Sequence, residues 1–137
     1  MSVRLDTFKP AALMATDLCF DLALGLPAAV ALFRDPPVEI RLATATYLEL
    51  LEAARSAEEQ RRIKRFVQGY AVLSLGPMAS SRAVELLLSH GLESGLTATQ
   101  ALAAATALAH EIPLITARPE PYEAIPDLQV YRAYASP

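Results

Sequence analysis

Three carboxylates in this 137-residue chain are spaced so that they could act together. Asp17 and Asp21 lie one helical turn apart, so a helix through them would present both on one face. Glu49 follows in the segment Thr46-Tyr-Leu-Glu49. The chemistry that such a trio suggests is divalent-metal work. Hard Mg²⁺ or Mn²⁺ takes oxygen ligands, activates water and stabilises charge on a phosphate. Each acid also has a simpler role. Thr16 and Asp17 supply N-cap chemistry for a helix over about 17–25. Glu49 is the fourth member of a capping box opening at Thr46, reaching back to the amide of that threonine.

The remaining reactive residue types are sparse. Arg118 has two readings: a surface cation paired with Glu120 or Glu123, or a group that binds a phosphate or carboxylate directly. Arg55, Arg61, Arg62, Lys64 and Arg65 form the densest basic run. Glu58 and Glu59 are interspersed, which favours a solvated helix face over a nucleic-acid patch. His90 and His110 fall at helix ends, with no second His or Cys at zinc-ligand spacing. Cys19 is the single cysteine, so no internal disulfide forms, and it reads as a core residue. No Gly-rich phosphate loop and no serine nucleophile elbow occur.

These residues require a scaffold, and the pattern of the chain describes one. Hydrophobic residues make up 53% of it, enough to build a core and too many for a disordered chain. The run 11–15 suits a buried strand, followed by helices at about 17–25 and 27–34 and a turn at Asp35-Pro36-Pro37. Residues 38–43 alternate as a strand does. Helices over about 46–55 and 56–68 come next, then a strand at 71–75 and a helix over 80–90, with Gly91 and Gly95 flanking a loop. Thr97-Ala-Thr-Gln100 is a capping box that opens an alanine-rich helix to His110. A buried strand at 112–116 and an edge strand at 127–132 complete the order. This succession predicts a single α/β domain over 1–137, with a mainly parallel sheet of about four to five strands flanked by helices. Sites in such sheets lie beyond the carboxyl ends of the strands, where Ala15, Thr116 and Arg118 converge.

The stretch Gln100-Ala-Leu-Ala-Ala-Ala-Thr-Ala-Leu-Ala-His-Glu-Ile-Pro-Leu-Ile-Thr116 resembles the C-terminal hallmark of PIN domains, metal-dependent ribonucleases that include VapC-type toxins. Ala15-Thr-Asp17 and Thr46-Tyr-Leu-Glu49 match its earlier segments in order and spacing, so the resemblance covers the chain from about Ala11 to Arg132. It implies a cleft bounded by Ala15, Asp17, Glu49, Gln100 and Arg118. Ala15, Gln100 and Arg118 stand at or close to positions where the family carries acids or an asparagine, and only Glu49 is kept. A neutral amide substitutes poorly for a carboxylate, and a cation close by repels a divalent ion.

The resemblance therefore implies a degenerate site. No catalytic residue or cofactor is expected, and the domain is retained for protein association or for RNA or ligand binding without cleavage. The alternative is an active Mg- or Mn-dependent endoribonuclease toxin with Asp17 and Glu49, joined by Asp21, as metal ligands in a rearranged site. A homodimer and an antitoxin-like protein partner are what the family permits, with RNA a further partner. The net charge of −3 provides no global attraction to nucleic acid. No uncharged apolar stretch is long enough for a membrane span, and Asp17 and Asp21 break the early apolar region that a signal peptide would need. The expected location is the cytoplasm.

Overall fold

A computed structural model of the chain describes residues 11–36 and 38–135. Its centre is the strand β1, Ala11–Met14, buried along its whole length. Four apolar residues with no charge suit a strand covered on both faces, as in parallel sheets. Around β1 the sheet adds β2 (Glu39–Ala43), β3 (Ala71–Leu73), β4 (Leu114–Thr116) and β5 (Val130–Arg132). The spatial order is β3-β2-β1-β4-β5, and every neighbouring pair is parallel. Leu13 pairs with Arg41 on one side and Leu114 on the other, which fixes the register at the middle of the sheet.

Successive side chains of β1 point to opposite faces, and two cores form accordingly. Ala12 and Met14 enter a cluster with Leu18, Cys19, Leu42, Leu50, Val67 and Ile115. That face is covered by α1 (Thr16–Ala23), α2 (Pro27–Phe33), α3 (Thr44–Ala53) and α4 (Ala57–Val67). Ala11 and Leu13 enter the other cluster, with Ala83, Leu86, Ala101, Ala104 and Leu114. There the cover is α5 (Pro77–Ser94) and α6 (Ala98–His110). The alanines of α6 leave little side chain between helix and strands, which allows close approach. Full burial of a leucine or isoleucine contributes about 1.5–3 kcal/mol, so Leu13, Leu114 and Ile115 account for much of the sheet's anchoring.

Several local expectations need correction. The N-cap of α1 is Ala15, without a side-chain bond, so neither Thr16 nor Asp17 caps it. Helix α3 begins at Thr44 with Ala43 as its N-cap, and no capping box joins Thr46 to Glu49. The hydroxyls there are engaged elsewhere: Thr44 Oγ1 donates to the Leu73 carbonyl at 2.7 Å, and Thr16 Oγ1 donates to Thr46 Oγ1 at 3.1 Å. Helix α5 starts at Pro77, an N1 proline, and runs through Gly91 to Ser94. His90 consequently sits within α5, whereas His110 does end α6. Only Gly95 stops α5, in the left-handed conformation at φ 73°. The strands are shorter than their apolar runs: Ser74, Leu75, Ile112 and Pro113 flank β3 and β4 without joining them. Pro37, in the predicted turn, lies outside the described residues. No single helix among the described residues is long and apolar enough to cross a membrane.

Candidate functional site

Beyond the carboxyl ends of β1 and β4 the chain opens a cleft of about 480 Å³. Its walls come from the start of α1 (Thr16, Asp17, Phe20), from α3 (Glu49), and from the junction of α5 and α6 (Ser94, Gly95, Thr97, Thr99, Gln100, Ala103). Thr116, Arg118, Pro121 and Tyr122 complete them. Four of the five residues picked out in the sequence, Asp17, Glu49, Gln100 and Arg118, line this one cleft. Ala15 does not. It is 2% exposed and packs among Ala43, Ala101 and Ala103. Asp21 is also outside the lining residues; its Oδ2 accepts a 2.6 Å bond from the Tyr134 hydroxyl.

Asp17 is the most constrained of the group. Its Oδ2 accepts from Thr116 Oγ1 at 2.8 Å and from the Ala117 amide at 2.9 Å, and its Oδ1 accepts from the Leu18 amide at 3.0 Å. The carboxylate thus ties the first turn of α1 to the end of β4. Burial pushes its pKa above the ordinary value, and Asp21 nearby adds to this. The three donated hydrogen bonds pull in the opposite direction and do not prevail.

The other side chains differ in how they are engaged. Gln100 closes a capping box: its Oε1 accepts from the Thr97 amide at 2.9 Å, and its own amide donates to Thr97 Oγ1 at 3.2 Å. Glu49 is half-buried and has no hydrogen bond or ion pair among the described residues. Arg118 donates its backbone amide to Thr116 Oγ1 at 3.1 Å, while its exposed guanidinium has no ionic partner among them. Of the two partners expected, Glu120 and Glu123, the first pairs with Arg132, and neither forms an ion pair with Arg118 among the described residues. Tyr122 is 4% exposed and closes a short 3₁₀ turn, Glu120–Tyr122. Burial raises its phenol pKa, and the charges of Asp17 and Glu49, which line the same cleft, add to this.

Sequence reasoning missed Tyr122, Phe20 and Pro121. Phe20 lies one turn beyond Thr16 and Asp17, so helical spacing was a usable signal. Tyr122 follows prolines in an irregular segment, where no periodicity tells inward from outward.

A pair of divalent ions would require several oxygen ligands converging on one space. Among the described residues no three His, Cys, Asp or Glu side chains group closely enough to hold a metal ion. The cleft offers two carboxylates, one already accepting three hydrogen bonds, with a guanidinium in the same wall. The residues present do not fit a two-metal centre.

No family model and no curated protein sequence matches this chain at a significant level. Solved structures do. A toxin–antitoxin complex from Klebsiella pneumoniae contains a chain that superposes with a TM-score of 0.75 at 22% identity, covering 91% of this chain and 99% of that one. DNA-bound VapBC from Salmonella typhimurium has a TM-score of 0.72 at 16% identity, with 90% and 98% covered. VapBC-1 from nontypeable Haemophilus influenzae has a TM-score of 0.71 at 20% identity, with 89% and 97% covered.

Proposed function

Starting from a PIN-like fold of the VapC type, we propose that this domain is a catalytically silent relative of ribonuclease toxins and acts by associating with other proteins. The observation that carries the reading is the state of the cleft's polar groups. Asp17 is committed to tying α1 to β4, Gln100 to starting α6, and Arg118 brings positive charge to the wall. Of the cleft's two carboxylates only Glu49 remains unengaged among the described residues, and one carboxylate does not hold or activate a hydrolytic water in the two-metal manner. No metal cofactor is part of the proposal.

The partner we propose is an antitoxin-like protein, by analogy with the complexes in which the similar folds occur. The chain offers such a partner an apolar groove between α1, α3 and α4, lined by Cys19, Phe20, Leu24, Leu50, Ile63 and Phe66. Leu24 on its rim is 83% exposed, an apolar surface that a partner's side chains would remove from water. The expected homodimer has its own surface on α5, where Met78, Val84, Leu88 and Leu92 are exposed. Sedimentation of the natural chain against Leu88→Glu checks it: the natural chain should sediment as a dimer and the variant as a monomer.

The second reading, an active Mg- or Mn-dependent endoribonuclease, draws support from Asp17 and Glu49 lining the same cleft. One experiment separates the two: incubation of the purified chain with single-stranded and structured RNA in Mg²⁺ or Mn²⁺, with Glu49→Gln alongside. No cleavage by either protein is expected. Metal-dependent cleavage that disappears in Glu49→Gln would overturn the proposal.

A further inference from the structure

The cleft holds three polar side chains that the fold leaves without partners among the described residues. The Glu49 carboxylate makes no hydrogen bond or ion pair there. The Arg118 guanidinium makes none either; its charge reaches Glu120, but that carboxylate is paired with Arg132. Tyr122 is 96% buried by complement of its 4% exposure, lines the cleft, and its hydroxyl has no hydrogen-bond partner. That hydroxyl is not sealed in the interior, because among the described residues no fully buried side-chain polar atom lacks a partner. It faces the cleft. A tyrosine buried to this degree ordinarily finds a partner for its hydroxyl.

The signs of charge matter as well. Asp17, Glu49 and Tyr122 line the same cleft, and both acidic charges act on the phenol. Oδ1 of Asp17 accepts a single bond and keeps an unused acceptor site. Arg118 supplies positive charge in the same cleft without forming an ion pair to either acid. Opposite charges held in one pocket but not joined to each other match a ligand that carries both signs. Phe20, Ala103 and Pro121 add apolar wall, and 480 Å³ is within the range of small-molecule pockets.

We propose that the cleft binds a small zwitterion, an α-amino acid with an apolar side chain. The ammonium sits against Glu49, the free Oδ1 of Asp17 and the Tyr122 hydroxyl. The carboxylate sits against the Arg118 guanidinium, and the side chain lies on Phe20 and Pro121. The proposal rests on the reading that the cleft does not serve a divalent metal, because an ammonium and a metal ion would compete for the same carboxylates.

The test is calorimetric titration of the full chain with L-leucine and L-phenylalanine, alongside two half-molecules of leucine. These are isoamylamine, which lacks the carboxylate, and isocaproate, which lacks the ammonium. Each half should bind at least about tenfold more weakly than leucine, the loss expected for one charge-assisted contact. Arg118→Ala should bring leucine down to isoamylamine, and Glu49→Gln should bring it down to isocaproate. Tyr122→Phe, which keeps the ring volume, should weaken leucine and isoamylamine but leave isocaproate unchanged. Absence of binding by both amino acids, or half-molecules that bind as well as leucine, overturns the proposal. A parallel Mn²⁺ titration separates the two failures. Silence towards leucine and Mn²⁺ alike removes the zwitterion site and leaves the catalytically silent reading intact. Saturable Mn²⁺ binding without leucine binding removes both.

Discussion

Asp17 lines the cleft, yet its contacts are structural ones. Its carboxylate is desolvated yet accepts bonds from Leu18, Thr116 and Ala117, so it joins segments about a hundred residues apart in sequence. Because its folded pKa is raised above the ordinary 3.8, the proton is bound more tightly in the folded state. Its protonated form therefore contributes stability that is fully present below the unfolded value and is lost as pH rises through the folded one. Thr116 opposes this by donating to the charged form. Thr116→Val should cost roughly 1.5–3 kcal/mol, the scale of a hydrogen bond to a charged group. The cost should be larger at about pH 7 than at about pH 4, since the ionised carboxylate needs the donor more. Urea denaturation of both proteins across that range is the measurement. A cost independent of pH would mean that Thr116 acts through packing alone.

At the scale of elements, helix starts separate what was legible in the sequence from what was not. Thr97 caps α6 as its spacing suggests, and Ser56 caps α4 in the same way, each accepting a bond from the amide three residues on. The same pattern at Thr46 misleads because tertiary contacts claim the hydroxyl: Thr46 bonds Thr16 across two elements, and the helix starts two residues earlier. Local chemistry predicts a cap only where nothing distant competes for the side chain. The parallel sheet was readable because β1 is apolar throughout and β4 is apolar up to its closing threonine, and the cleft because its lining follows the strand ends. What stayed hidden was direction: that Ala15 packs beneath the cleft, that Asp21 turns to Tyr134, and that Tyr122 points inward. For α6 the expectation is quantitative. Thr97→Ala and Gln100→Ala should each destabilise by roughly 0.5–2 kcal/mol. Since both serve one helix start, the double variant should cost less than the sum. Thermal unfolding of the three variants reads this directly. A Gln100→Ala protein of unchanged stability would release Gln100 from its structural role and make it a candidate ligand-binding group.

For the molecule as a whole, the question is whether the fold can support a metal centre once acids are supplied. The triple change Ala15→Asp, Gln100→Asp, Arg118→Asp adds three carboxylates to Asp17 and Glu49 at the strand ends. Position 15 is 2% exposed, so an aspartate there is desolvated as well as crowded by like charge. Both effects disfavour the ionised form. The metal-free variant should thus be less stable than the natural chain, and Gln100→Asp adds the loss of the long side chain that completes the α6 capping box. A divalent ion reverses the electrostatic part by binding only the folded state. At a hundred times its Kd it restores about 2.7 kcal/mol, roughly 10 °C in melting temperature for a domain of this size. The expected signature is a Tm that is low in EDTA and climbs with Mn²⁺, with no such climb in the natural chain. RNA cleavage is a stricter requirement, because it also needs the substrate phosphate positioned against the ions. A triple variant that folds, as judged by circular dichroism, yet ignores Mn²⁺ would show that these positions do not converge on one metal-sized space. In that case the cleft never matched a two-metal plan, and the catalytically silent reading would lose its premise.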